Sequence, residues 1–351
     1  MKNWKTFLGI FLAATGTILL TAVSPKPKPK GKSLTVAFYN VENLFDTKDD
    51  PKTNDQQFLP DGSYEWTDER YEQKLAQMGK VIQFLGDDDG PEILGLCEIE
   101  NRDVLEDLVA VKALKKRGYG IAHTDSPDQR GIDVALLYKT KRFMPLYQKA
   151  YNVPFPENKD IKTRDIFLVK GILDKKIDVT FIVNHWPSRR GGKESSWKRE
   201  RAAQVLRHVV DSIITLDPYA NIVMMGDFND GPLDMSMSKV LMAAQDSIGT
   251  LSTMVYNCMA DLKKAGRGTL KYRGAWNLFD QVVVSVAMTH KLGTLRYVKG
   301  SASIYNPDWM AQTEETGDWK DAPRRTYIGR RYHGDVGFSD HFPVYVTLQY
   351  Q

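Results

Sequence analysis

The chain has 351 residues, enough for one large domain or two ordinary ones, and its composition (42% apolar, 26% charged, 11% aromatic) is that of a soluble globular protein. Its formal charge of +4 comes from the N-terminus: residues 1–32 hold six of the 48 basic side chains and no acid, leaving 42 bases against 44 acids. This excludes a strongly basic nucleic-acid binder and leaves any attraction to phosphate to local clusters or bound metal.

Lys2 and Lys5 precede an apolar run from Phe7 to Val23, and the alternating stretch Pro25–Lys32 (PKPKPKGK) follows it. A charged start, an apolar middle and a polar exit describe an export signal. The run is at the short limit for a spanning helix, and Thr15, Gly16, Thr17 and Thr21 dilute it. Residues 1–24 are therefore read as a signal peptide or membrane anchor and 25–32 as a basic linker held extended by its prolines. With no cysteine nearby, a lipoprotein anchor is excluded.

Ser33–Tyr39 alternates and is β-rich, which predicts the opening strand. Asp46–Ser63, with Pro51, Pro60 and Gly62, reads as a surface loop. Thr67 caps a helix through Phe84, with Tyr71, Leu75, Met78, Val81, Ile82 and Leu85 near helical spacing. A short strand, Glu92–Leu96, precedes a helix from Arg102 to Lys116. Asp133–Tyr138, Met144–Val153, Ile166–Leu173 and Asp178–Asn184 then read as successive strands of an antiparallel meander. A helix over Lys193–Ile214 and a buried strand over Ile222–Gly226 follow, and Gln281–Ser285, Leu295–Val298 and Val344–Gln349 supply the last strands. Cys97 lies in an apolar run and reads as a buried free thiol, a Cys97–Cys258 bridge being the alternative after export. No linker interrupts residues 33–351. Strands at both ends with helices between them predict one α/β (α+β) domain, a four-layer sandwich of two mixed or antiparallel sheets packed face to face with helices outside.

Polar clusters recur at strand ends. Asn40–Glu42 ends the first strand, Glu98 the run Ile93–Cys97, Asn184–His185 the Asp178–Val183 strand, and Asp227 with Asn229 the Ile222–Gly226 strand. Asp280 immediately precedes Gln281–Ser285, and Ser339, Asp340 and His341 precede the final strand. A polar residue at a strand end is commonly a turn former. If the strands share one sheet edge, the same residues supply hard oxygen ligands for Mg²⁺-like ions and imidazoles for proton transfer.

In one order the chain carries Tyr39-Asn40-Val41-Glu42-Asn43, Leu96-Cys97-Glu98, Asn184-His185-Trp186-Pro187-Ser188, Gly226-Asp227-Phe228-Asn229-Asp230 and Ser339-Asp340-His341. This set resembles the endonuclease/exonuclease/phosphatase superfamily, which includes deoxyribonuclease I, exonuclease III-type repair enzymes, neutral sphingomyelinases and inositol-polyphosphate 5-phosphatases. The likeness spans residues 33–348 and implies a hydrolase of phosphate esters. It implies metal ligation by Asn40 and Glu98, with Asp340 completing the set, and Mg²⁺ or Mn²⁺ as the ion; a part for Ca²⁺ stays open. It further implies that Asp227 and Asn229 orient the attacking water and hold the phosphate, and that His341 faces the phosphate, oriented by Asp280. In deoxyribonuclease I-like members a second histidine pairs with an acid on a preceding strand, which makes His185 and Asp133 the corresponding catalytic pair. Repair-type relatives carry tyrosine at this place, so His185 points away from abasic-site repair.

Arg164, Ser188, Arg189 and Trp276 are the candidate substrate contacts, and Arg190, Lys193, Arg324, Arg325, Arg330 and Arg331 add basic charge near the motifs. Interleaved Arg and Trp can grip a nucleic-acid backbone, while a charge run is equally a solvated face. The expected activity is an exported, endonuclease-type phosphodiesterase. The alternative is a phosphatase or lipid phosphodiesterase acting on sphingomyelin, inositol phosphates or other small esters, which the neutral-to-acidic body favours. No protein partner is expected, so the chain reads as a monomer, secreted, periplasmic or tethered through residues 7–23 and facing outward.

Overall fold

The computed structural model describes residues 31–246, 255–290, 294–312, 317–326 and 336–351. The expected signal segment, most of the linker, and Arg330 and Arg331 lie outside them. Among the described residues no helix is long and apolar enough to cross a membrane.

Along the chain, β1 (Lys32–Leu44), α1 (Asp68–Gln83), β2 (Ile93–Ile99), α2 (Arg102–Ala110), β3 (Tyr119–His123) and β4 (Asp133–Lys139) form the first half. Then come β5 (Phe143–Tyr151), β6 (Ile166–Leu173), β7 (Ile177–His185), α3 (Ser196–Leu216), β8 (Ile222–Asp227), β9 (Ala243–Ala244) and β10 (Val255–Asn257). The last part holds α4 (Ala260–Lys264), β11 (Leu270–Tyr272), β12 (Ala275–Asn277), β13 (Asp280–Ser285), β14 (Leu295–Tyr297), β15 (Ser303–Ile304) and β16 (Val344–Tyr350). One sheet has the order β14-β16-β1-β2-β4-β3, with β15 also on β16; the other runs β5-β6-β7-β8-β13-β10-β9, and β11 and β12 pair separately.

Strand alternation builds the layers. Phe181, Val183, Val223, Met225, Val282 and Val284 face the first sheet, while Ile182, Ile222, Met224 and Val283 turn to the other side and pack under α3. From α3, Ala202, Ala203, Leu206, Val209 and Val210 close that outer layer. Met78, Val81 and Ile82 of α1 and Leu105 and Leu108 of α2 belong to the core of the first sheet. The sheets touch at Gly95, where a Cβ would stand 2.6 Å from Met225 Sδ, so any larger residue would push them apart. The result is the expected four-layer sandwich.

Several expectations are corrected. β4 is not part of the meander: it pairs with β2 and β3, and the chain crosses to the second sheet before Phe143, leaving β5, β6 and β7 as the antiparallel run. Alternation cannot show this crossing, because both inner faces are apolar. α2 stops at Ala110, where Val111 turns extended and lets Leu114 bury. The loop after β1 is pinned rather than loose, with Phe58 stacked on Phe45 at 3.9 Å between ring centroids. Cys97 and Cys258 are both buried free thiols.

Candidate active site

Every strand-end cluster arrives at one end of the sandwich. In the second sheet His185 lies beside Asp227 in the parallel β7–β8 pair, and Asp280 faces Asp227 across the antiparallel β8–β13 pair. From the first sheet Asn40 reaches over, its Nδ2 3.1 Å from Asp227 Oδ2 and 3.3 Å from Glu98 Oε1. Ser339 Oγ donates to the Asn40 carbonyl at 2.7 Å and accepts from His341 N at 3.0 Å, which fastens the loop carrying Asp340 and His341 to β1.

Local backbone irregularity aims these groups. The β1–β2 ladder shifts register between Asn40 and Leu44, and the β2–β4 ladder between Cys97 and Ile99. Within those bulges Glu42, Asn43 and Glu98 hold φ of 53°, 52° and 63°, and Asn229 holds 52°. Each such conformation costs about 1–3 kcal/mol and persists only where its surroundings enforce it. For Glu98 the enforcement is visible: its Oε2 accepts from Asn43 N at 2.9 Å.

His341 Nδ1 lies 2.7 Å from Asp280 Oδ2, and Asp280 is wholly buried. Its Nε2 faces Asp227 Oδ2 and Asp340 Oδ1, each at 3.9 Å. Burial by itself would lower the His341 pKa, but Asp280, Asp227 and Asp340 together push it well above the usual histidine value, so the ring carries its proton. Asp227 is pushed up to about 7 by burial, with Asp280 and Glu98 adding to the effect. Asp227 Oδ1 accepts from Asn229 N at 2.9 Å, and Asn229 Nδ2 donates to the Trp186 carbonyl at 2.9 Å.

The expected His185–Asp133 pair does not form. Asp133 Oδ2 is 3.0 Å from His123 Nε2 and its Oδ1 accepts from Ser126 N at 2.8 Å: the adjoining edge strand β3 delivers His123 next to the start of β4. Among the described residues, His185 Nδ1 is buried without a hydrogen-bond partner, and Nε2 stands 3.8 Å from both Glu98 Oε1 and Asp227 Oδ2. Burial, with the charges of Arg164, Arg130 and His341, holds His185 well below the usual value, as a neutral imidazole.

Of the candidate substrate contacts, Arg164 is redirected. Arg164 is buried, with its nitrogens on the carbonyls of His185 and Trp186 and on Asp128, so it holds the end of β7. Arg189 donates to the Asn229 carbonyl at 2.9 Å and to Asp230 at 3.0 Å, and its guanidinium covers the Phe279 ring. Ser188 is exposed beside it. Trp276 is half-buried and stacks at 6.2 Å on Phe342, the residue after His341.

The donor set fits a hard divalent cation. Glu98, Asp227, Asp280 and Asp340 gather at one place, and Glu98 and Asp340 remain partly open, their side chains 15% and 27% exposed. Asn40 Oδ1 accepts from Glu42 N at 2.9 Å, and its NH₂ lies against Glu98 and Asp227, which places Asn40 at the acids it was expected to join. Asp227, Asp280 and His341 also lie within 4.8 Å of one another, but the Asp280–His341 hydrogen bond already occupies that cluster. Sequence reasoning missed Lys74, a fully buried lysine behind Glu42. Its signal was its place in the stripe Tyr71, Lys74, Leu75, Met78, where helical spacing points inward.

A two-sheet sandwich with a carboxylate-oriented histidine and a cluster of acids at one end defines a phosphoester hydrolase. The chain belongs to the Endonuclease/Exonuclease/phosphatase family, whose profile matches residues 35–350. Solved structures agree on the fold. A family member from Bacteroides thetaiotaomicron is 18% identical with a TM-score of 0.54, covering 92% of this chain and 100% of its own. A mannosyl-6-phosphatase of the same organism is 17% identical with a TM-score of 0.55, covering 90% and 100%. TDP2 of D. rerio, complexed with a single strand DNA product, is 15% identical with a TM-score of 0.54, covering 90% and 99%. No curated protein matches the chain.

Proposed function

We propose that this chain is an exported, divalent-metal-dependent phosphoesterase that opens its ester by in-line attack of water. The observation that carries the reading is the buried His341–Asp280 pair at 2.7 Å, aimed at Asp227 with Glu98 and Asp340 alongside. Glu98 and Asp340 would hold the cation, Mg²⁺ or Mn²⁺ with Ca²⁺ a further candidate, which when bound supplies positive charge against the phosphate oxygens. Asp227, steadied by Asn40 and Asn229, accepts the proton of the attacking water. His341 offers its Nε2 proton to the phosphoryl oxygen where charge builds up, while Asp280 holds the ring through Nδ1.

A small phosphate ester is the substrate class this geometry favours. Arg164, expected as a phosphate contact, is buried on Asp128 and the end of β7, which supports this reading. The nuclease reading stands second, supported by exposed Ser188 and Arg190 beside the end of β7 and by the likeness to a structure holding a single strand DNA product. Incubation with Mg²⁺ and a panel of sugar phosphates, inositol phosphates, sphingomyelin, plasmid DNA and RNA separates them. Turnover of small esters without nucleic-acid cleavage is expected, and DNA or RNA cleavage alone would overturn the substrate class. Hydrolysis of none of them would sink the phosphoesterase reading. Export rests on the lysines and apolar run of residues 1–24, with an uncleaved run acting as a membrane tether. Cell fractionation with N-terminal sequencing is expected to recover the protein outside the cytoplasm; full-length protein soluble in the cytoplasm would contradict it.

A further inference from the structure

Lys74 is wholly buried on α1. Its Nζ donates to the Phe338 carbonyl at 2.7 Å and to Thr326 Oγ1. Thr326 in turn donates its backbone N–H to Glu42 Oε2 at 2.6 Å, and Glu42 donates its own to Asn40 Oδ1 at 2.9 Å. Phe338 immediately precedes Ser339, whose hydroxyl is bonded to the Asn40 carbonyl. One ammonium group thus ties α1 to both chain segments that carry the site: the bulged end of β1 and the loop bearing Asp340 and His341.

Stability alone does not account for this lysine. Its neighbours on the inward stripe are Tyr71, Leu75 and Met78, and an apolar residue of similar volume would spare the fold the desolvation of a charge. What an apolar residue cannot do is donate to the Phe338 carbonyl and the Thr326 hydroxyl. Without that ammonium the Phe338 carbonyl, at the start of the loop that presents His341, is left buried without this donor, and the tie from α1 through Thr326 to Glu42 is lost.

We propose that Lys74 is a positioning residue, setting through Thr326, Glu42 and the Phe338 carbonyl the reach of Asp340 and His341 into the site. The proposal rests on the phosphoesterase reading of that site, and its test keeps the two apart. Full-length Lys74→Met, Thr326→Val and His341→Ala are compared with the unmodified protein on p-nitrophenyl phosphate and bis-p-nitrophenyl phosphate with Mg²⁺. Lys74→Met is expected to lower kcat by about 10–100-fold, the range seen when an outer partner of a site's ligands is removed, with KM changed by less than about threefold. Thr326→Val, which leaves the lysine in place, is expected to lower kcat in the same sense and by less. Hydrogen exchange of residues 336–342 is expected to quicken in Lys74→Met, whatever ester is turned over.

A folded Lys74→Met protein with kcat within about twofold of the unmodified protein and unchanged exchange over 336–342 overturns the proposal. His341→Ala inactive in the same assay then leaves the phosphoesterase reading intact. If Lys74→Met does not fold, Thr326→Val decides, and full activity in it counts against the proposal. If the unmodified protein hydrolyses neither ester, the phosphoesterase reading fails on these probes, and the exchange measurement alone decides on Lys74.

Discussion

His341 draws its orientation from Asp280, which is shielded from water by the β8–β13 ladder and has the imidazole as its partner at 2.7 Å. His341→Ala removes the proton donor and is expected to lower turnover by at least about 10²-fold. Asp280→Asn keeps the shape but presents an amide that can also donate to Nδ1, turning the ring to the wrong tautomer, so a loss approaching that of His341→Ala is expected in steady-state kinetics. Asp133 behaves differently, since it serves His123 and Ser126. Asp133→Asn is expected to retain turnover within about fivefold, an outcome the His185–Asp133 pairing would forbid. The same variant has a signature in stability. Burial raises the Asp133 carboxyl above its ordinary value of 3.8 despite the bonds from His123 and Ser126, so the folded chain binds that proton more tightly than the unfolded one. Its stabilising effect is therefore complete below the ordinary range and is lost as pH rises through the folded value. Thermal unfolding of Asp133→Asn from about pH 4 upward is expected to show a shallower decline than the unmodified protein.

Among the elements, α3 does more than cover the second sheet. Arg199 on its first turns forms an ion pair with Asp230 at 2.8 Å, both side chains less than a tenth exposed, and Asp230 follows the Gly226–Asn229 turn that presents Asp227. The helix and the turn are thus fastened by charge as well as by Ala203 and Leu206 in the core. Arg199→Met removes the closest counter-ion of Asp230 but leaves Arg189 and Ser236 on it, which is expected to cost about 1–3 kcal/mol in urea unfolding. The two bulges act in a similar way at the other sheet. By taking positive φ at Glu42, Asn43 and Glu98 the strands break register before pairing resumes at Leu44 and Ile99, and point carboxylates inward from a direction a regular ladder would deny them.

For the whole molecule, the balance of charge at the site sets the strongest expectation. Among the described residues, Glu98, Asp227, Asp280 and Asp340 share the site with His341, and Arg325 stands at the margin, 3.4 Å from Asp340. Such an excess of acids matches oxygen ligation of a hard cation. Exhaustive EDTA treatment is expected to abolish phosphoesterase activity and Mg²⁺ to restore it, and Glu98→Gln to raise the Mg²⁺ concentration needed for half-maximal rate. Activity that survives chelation would remove Glu98 and Asp340 from the role of ligands.

Sequence by itself carried the family and the layer architecture, because short motifs at strand ends keep their order and alternation reports which strands are buried; that Asn40 and Glu98 of one sheet meet His185, Asp227 and Asp280 of the other was decided by the fold. Sequence could not decide partners. Asp133 turned to His123, Arg164 turned inward, Arg189 paired with Asp230 at the surface, and Asn40 set its NH₂ against the acids, because each choice depends on which side chain a neighbouring segment delivers within about 3 Å. Nor could it place β4, since an apolar strand fits the inner face of either sheet. Lys74 shows the limit most clearly: its spacing says inward, but only the folded chain brings Phe338 and Thr326, more than two hundred residues away, to meet its charge.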